Sequence, residues 1–240
     1  MARIGALGAA VAAAWIAFGV AQAKAVGISA SVTPVTHYIW RGADVLCGAK
    51  YPVQPSVTAT FGSTGLSANV WGSFATADRD STRGADELDF TVDYERGVLP
   101  LVTARMGGVY YYLPRNAPAR TAEIYAGVSL AAPLSPGVTV YYDTKWLDGD
   151  SASTGVYVLA SVEHSASVMG LIPLDLSASL GYGRNDTAKG FQDASLTVAT
   201  SIPFGRVSLT PFIAGTYIFR DSVNADAYEV CGGLTASIEL

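Results

Sequence analysis

The feature that most constrains this chain is a period of two, repeated along its length. From residue 27 onward, short segments alternate apolar and polar side chains with few slips. Residues 87–95, ELDFTVDYE, are the plainest case. Leu88, Phe90, Val92 and Tyr94 fall on one face, and Glu87, Asp89, Thr91, Asp93 and Glu95 on the other. Successive side chains of an extended strand point to opposite sides, so the segment reads as a strand with one apolar and one polar face. About twelve such segments of roughly ten residues follow one another, the length that crosses a bilayer when tilted. Their apolar faces carry, for example, Ile28 and Val32, Val57 and Ala59, Ile124 and Val128, Val138 and Val140, Leu209 and Ile213, and Leu234 and Ile238.

The connections alternate as well. Those after odd strands are polar: residues 76–86, 114–120, 147–154, 184–190 and 220–226. Those after even strands are tight and rich in Gly or Pro: 62–65, 95–100, 132–137 and 203–205, with 165–173 a longer exception. An up-and-down barrel with both termini on one side sorts its loops this way, whereas a Greek-key sandwich has no reason to.

The alternation alone does not say which solvent each face meets. Composition favours lipid outside: 50% of residues are apolar and 15% charged, against about 25% charged in ordinary soluble domains. Past residue 26 nothing approaches the ~20 apolar residues of a spanning helix. The N-terminus reads as an export signal. Arg3 is followed by an uncharged stretch to Val20, then by Ala21-Gln22-Ala23 and Ala23-Lys24-Ala25, both small-x-small cleavage sites. Residues 1–25 are therefore expected to be a signal peptide and 26–240 a single barrel; an uncleaved anchor is the bland alternative. Losing Arg3 and Lys24 takes the net charge from −5 to −7, and an acidic chain without basic clusters argues against nucleic acid as a partner.

Lipid offers no water to backbone N–H and C=O groups, so a β structure spans it only as a closed ring. Acids of 87–95 on the lipid side would cost on the order of 1–3 kcal/mol each. The expectation is an all-β, transmembrane, up-and-down antiparallel barrel of about twelve strands with periplasmic termini. An exported soluble β protein is the competing fold. Tyr38, Trp40, Tyr110, Tyr112, Trp146, Tyr182, Tyr217 and Phe219 lie near strand ends, where an interfacial aromatic girdle would sit.

Residues 38–42 (YIWRG), 52–54 (PVQ) and 65–73 (GLSANVWGS) together resemble the start of the TorF-type porin family of Gram-negative bacteria. That family carries an aromatic-Arg-Gly after the first strand, Pro-x-x-Gln before the second, and Gly-aromatic, four residues, then Trp-x-Ser in the third. Here the proline-to-glutamine spacing is one shorter, Leu66 replaces the aromatic, and 43–51 lacks a Ser-Gln-Ser-like run. Beyond three strands the resemblance is one of number and rhythm. It implies an outer-membrane barrel. Such barrels commonly end in an aromatic residue read by the assembly machinery; this chain ends in Leu240.

On the inward parity stand Glu87, Asp89, Asp93, Glu95, Glu123, Asp143, Glu163, Asp175, Asp193 and Glu229, answered by Arg105, Lys145 and Arg206. Carboxylates lining a wet path concentrate cations. The expected function is a porin-like channel for passive passage of small hydrophilic solutes or ions, mildly cation-favouring. Its partners are outer-membrane lipid, the assembly machinery and the solutes themselves. The alternative is a non-conducting structural or binding barrel whose interior is filled by ion pairs. Arg41 and Gly42 are read as a loop-1 anchor, the arginine tying the loop to a wall carboxylate and the glycine permitting a turn. Cys47 and Cys231 are a candidate disulfide, since in a closed barrel the last strand neighbours the first.

No cofactor or metal spacing is present; an outer-membrane enzyme is the remaining competing class, and no enzyme is expected. His37 and His164 fall at opposite ends and cannot share a catalytic site. Asp148-Gly149-Asp150 lacks the spacing of a calcium cage and reads as a solvated turn.

Overall fold

The computed structural model describes residues 26–46, 50–77, 86–114, 120–144, 155–168, 172–185 and 189–240. Twelve antiparallel strands close a barrel: β1 (Val26–Pro34), β2 (Val53–Phe61), β3 (Leu66–Ser73), β4 (Glu87–Leu99), β5 (Val102–Tyr112), β6 (Arg120–Leu130), β7 (Gly137–Asp143), β8 (Gly155–Val168), β9 (Ile172–Asn185), β10 (Lys189–Ala199), β11 (Val207–Ile218) and β12 (Tyr228–Glu239). Each strand pairs with its neighbours in sequence, and β12 pairs with β1 to shut the ring, with Ala30 opposite Ile238 and Val32 opposite Ala236. A short strand, Ile202–Phe204, doubles back on the start of β11. Closure removes every strand edge, so the backbone bonds are satisfied within the wall.

The barrel is inside out. On β6, Glu123 is 5% exposed and Tyr125 6%, while Ile124 between them is 56% exposed. The same parity runs round the wall: Val57, Phe90, Val92, Val128, Leu196 and Ile213 face outward and exposed. A soluble sandwich would bury those side chains; an outer face this apolar is suited to hydrocarbon. Within the described residues the buried apolar cluster is small, Leu46 and Ala75 with Tyr38 packed against them.

Both described ends of the chain, near Val26 and Leu240, lie where the tight turns lie, with the Leu240 amide donating to the Ile28 carbonyl. The longer connection expected at 165–173 shrinks, because β8 runs on to Val168 and β9 starts at Ile172. Outward aromatic rings collect at the opposite, polar-loop end. Tyr182, Phe191, Phe219 and Tyr217 form a chain with centroids 5.0–6.0 Å apart, and Tyr112, Tyr142 and Tyr228 are exposed at the same end of their strands. Tyr38 and Trp40 correct the girdle expectation: both belong to the first loop and turn into the barrel. Trp146 lies outside the described residues.

Candidate functional site

The first loop, between β1 and β2, does not stay outside. After Pro34 the chain continues the ladder beside β12, with Val35 bridged to Gly233: the Thr36 amide donates to the Gly232 carbonyl at 2.9 Å, and the Gly232 amide donates to Thr36 Oγ1 at 3.0 Å. A Cβ on Gly233 would meet the Phe212 ring and Val35 Cγ1 within 2.8 Å, so the close approach requires glycine there. The loop then makes a two-residue hairpin, Ile39–Trp40 against Ala43–Asp44. Its central residues, Arg41 and Gly42, both have positive φ (51° and 83°), the pattern of a type I′ turn. Leu46, fully buried, pins the return leg beside Ala75, and Tyr38 packs on Trp71 with centroids 5.3 Å apart.

The tip is held by β10 and by the segment before β12. A register shift at Gly181/Tyr182 leaves Gln192 as the extra residue of a β-bulge on β10. Gln192 Nε2 donates to the Arg41 carbonyl at 2.9 Å, and Gln192 Oε1 accepts a short bond from Arg220. Asn224 Nδ2 donates to the Gly42 carbonyl at 3.2 Å.

From this tip the Arg41 side chain reaches β6, halfway round the ring from β1. Its Nη1 and Nη2 donate to Glu123 Oε1 and Oε2 at 2.7 and 2.8 Å, a two-pronged pair with side chains 12% and 6% exposed. Tyr111 donates its hydroxyl to Glu123 Oε2 at 2.9 Å. The guanidinium lies 4.2 Å from the ring centre of Trp40, 4.5 Å from Tyr141 and 4.3 Å from Tyr157. Tyr157 in turn donates to Asp193 Oδ1 at 2.8 Å. Planarity, charge and ring contacts suit a guanidinium and suit an ammonium less well.

A second node again joins an arginine, a carboxylate and a tyrosine. Arg105 Nε donates to Asp93 Oδ1 at 2.6 Å, the Tyr125 hydroxyl makes a short bond to the same oxygen, and the guanidinium sits 5.1 Å from the Tyr125 ring. Arg105 is 47% exposed. Between the nodes Tyr125, Tyr141 and Tyr157, paired directly across β6, β7 and β8, run as a ladder with centroids 5.4 and 6.2 Å apart. Their rings lie along the wall because inward glycines make room. A Cβ on Gly107 would strike Tyr125, and one on Gly181 would strike Tyr157.

Three interior cavities follow in line. One of about 140 Å³ opens toward the polar-loop end, past Asp143, Arg184 and Arg220. One of about 530 Å³ holds the tyrosine ladder, Trp71, Asp89 and Asp193. One of about 360 Å³ lies toward the tight turns, with Glu95, Ser161 and Glu163. Arg41 borders the first two and Arg105 the last two.

The remaining charged residues of the inward parity are spread along the wall. Glu87 is buried and Asp89 half-buried near Tyr38; Glu87 Oε2 and Asp89 Oδ1 have no hydrogen-bond partner among the described residues. Asp143 accepts from Thr121 at 2.7 Å, Asp175 from Ser165 at 2.6 Å, and Glu229 from Asn224 at 3.1 Å. Arg206 sits exposed in the turn before β11, at the rim and not along the wall. Lys145, Cys47 and residues 148–150 lie outside the described residues. Among the described residues Cys231 has no disulfide partner, and its Sγ lies 3.1 Å from the His37 carbonyl. His37 is thus in the loop beside β12, while His164 is exposed on β8 near the tight turns.

The inward tyrosines and Trp71 are the residues that sequence reasoning missed. Their signal was parity: Tyr111, Tyr125, Tyr141 and Tyr157 share the odd numbering of Glu123 and Asp143.

The family profile described as "Bacterial protein of unknown function (Gcw_chp)" matches residues 20–230. The chain belongs to the Gcw_chp family. No curated protein matches its sequence. Among solved structures this Gcw_chp chain is similar to the NanC porin, at 16% identity and a TM-score of 0.54, covering 90% of this chain and 100% of that one. It is also similar to the KdgM porin, at 8% identity and 0.55, covering 88% and 98%. The KdgM porin in complex with disordered oligogalacturonate matches at 8% and 0.52, covering 89% and 97%. At these identities the likeness is one of fold: this Gcw_chp chain has the barrel of those porins.

Proposed function

We propose that the protein is a porin-like channel of the outer membrane that passes small hydrophilic solutes or ions, narrowed by its own first loop. The observation that carries this is the line of three cavities inside a closed barrel whose outer face is apolar. The porin names of the similar structures support the same reading. In it, residues 1–25 are a cleaved export signal, both termini are periplasmic, and the polar loops face outside the cell. The YIWRG resemblance to TorF-type porins gains interest from its place, since those residues build the hairpin that carries Arg41.

A mild preference for cations is part of the proposal. Arg41 and Arg105 are each neutralised by a carboxylate, which leaves Asp89 and Asp193 as acids of the central cavity with no arginine bonded to them among the described residues. Purified protein in planar bilayers tests both points. Discrete conductance steps and a reversal potential favouring potassium over chloride are expected. Absence of steps at any voltage in both the wild type and Glu123→Ala overturns the channel, and an anion-favouring reversal potential overturns the selectivity.

One observation favours a second reading, a non-conducting barrel: the buried Arg41–Glu123 pair crosses the lumen. Glu123→Ala separates the two. A silent wild type with a conducting variant means a closed channel, and two silent proteins mean a structural barrel.

A further inference from the structure

The wall around Arg41 is complete without Arg41. Glu123 supplies two oxygens in one plane, Tyr111 fixes their orientation, and Tyr141 and Tyr157 supply ring faces, all from neighbouring strands β5 to β8. The arginine comes from a loop tip 82 residues away. We propose that Glu123, Tyr111, Tyr141 and Tyr157 form a guanidinium-binding site in the lumen, for which Arg41 and a guanidinium-bearing solute compete.

Three further observations support competition over a plain structural tie. First, Arg41 sits at φ 51°, in the left-handed region, at the first central position of a type I′ turn. Asparagine and glycine fit there and arginine does not, so the chain accepts a backbone cost to deliver this side chain. An unfavourable backbone at a ligand clamp points to use. Second, the backbone of the turn tip accepts side-chain bonds from Gln192 and Asn224, which leaves the strands free to keep their register when the loop departs. Third, Arg41 is a shared wall of two cavities, so a solute reaches the site from either side. A tethered group acts at an effective concentration in the millimolar range, so solutes at comparable concentration displace it. The fork geometry favours a guanidinium over a primary ammonium.

The proposal rests on the channel reading only for how solutes arrive, and its test reads binding directly. Arg41→Asn empties the site and places a favoured residue in the turn. Binding of methylguanidinium to the detergent-solubilised full chain is followed by saturation-transfer NMR, with methylammonium as the comparison. Arg41→Asn is expected to bind methylguanidinium about tenfold more tightly than methylammonium, and about tenfold more tightly than wild type does. Arg41→Asn/Glu123→Gln is expected to lose that binding. Equal binding of the two cations, or binding unchanged in the double variant, overturns the proposal. If Arg41→Asn fails to assemble, Arg41→Gln takes its place under the same criteria. In bilayers, methylguanidinium should lower the conductance of Arg41→Asn toward the wild-type level. Silence of every variant in bilayers counts against the channel and leaves the binding result to decide the site.

Discussion

The lumen holds a trio of arginine, carboxylate and tyrosine twice, and the two copies differ in what they can do. Arg41, Glu123 and Tyr111 meet almost out of reach of solvent, with the arginine lent by a loop. Arg105, Asp93 and Tyr125 meet where solvent reaches nearly half of the arginine, and all three belong to strands. Burial decides the energetics. Removing one partner of a dry pair strands a charge, at a cost of about 3–5 kcal/mol. Removing Arg105, the half-exposed partner of the second pair, costs less, about 1 kcal/mol, because water reaches the space it leaves beside Asp93. The origin of each arginine decides the mechanics. The first pair fixes where a separate segment of chain lies, whereas the second is a feature of a wall that stays put.

That contrast is open to direct attack, and the largest effect is expected at the dry pair. Glu123→Ala should lower stability by about 3 kcal/mol and raise single-channel conductance as the loop leaves, read by thermal unfolding in detergent and by bilayer recording. A variant as stable and as resistive as wild type would erase the distinction between the two copies. Next is Tyr157→Phe, which removes the donor to Asp193 beside the same guanidinium. A loss of about 1 kcal/mol in the same unfolding measurement is expected, with conductance little changed. Arg105→Ala should cost about 1 kcal/mol or less and move the reversal potential toward stronger cation preference, because Asp93 is left uncancelled. A shift toward anions would show that the wet pair does not set the field.

The smallest effect sharpens the contrast from the loop side. A Cys47–Cys231 disulfide is proposed as a second tether of the first loop to β12. Alkylation before and after reduction, followed by mass measurement, should show two thiols appearing only on reduction. Two alkylated thiols without reductant would dismiss the tether and leave Arg41 as the tie under test.

The barrel was readable from residues because period two is a local property, and a chain that alternates apolar with acidic faces has few ways to be solvated. Ile124 beside Glu123 carries that message without any partner strand. Even the longer β8 and β9 follow it, since Ala166 and Leu174 continue the outward face across the expected break. The inward loop was not readable in the same way. Its contacts join residues far apart, Arg41 to Glu123 and Thr36 to Gly232, and no local pattern encodes them. Tyr38 and Trp40 misled for a related reason. A ring at the end of a strand suits a membrane interface and the mouth of a lumen equally, and the fold of the loop chooses between them. The tyrosine ladder was legible in principle, by parity and by Gly107 and Gly181 on adjacent strands, because each ring needs a neighbour without a side chain.

The ladder of the first loop onto β12 also fixes an order of events. Thr36 bonds to Gly232, a residue made 196 positions later, and Val35 lies against Gly233. Until the final strand has arrived the base of the loop is bonded on one flank alone, to Tyr51 and Pro52, so a half-assembled barrel holds its hairpin less firmly. The hairpin is fully seated only when the wall is finished, and its position is the chain's own mark that the seam has closed.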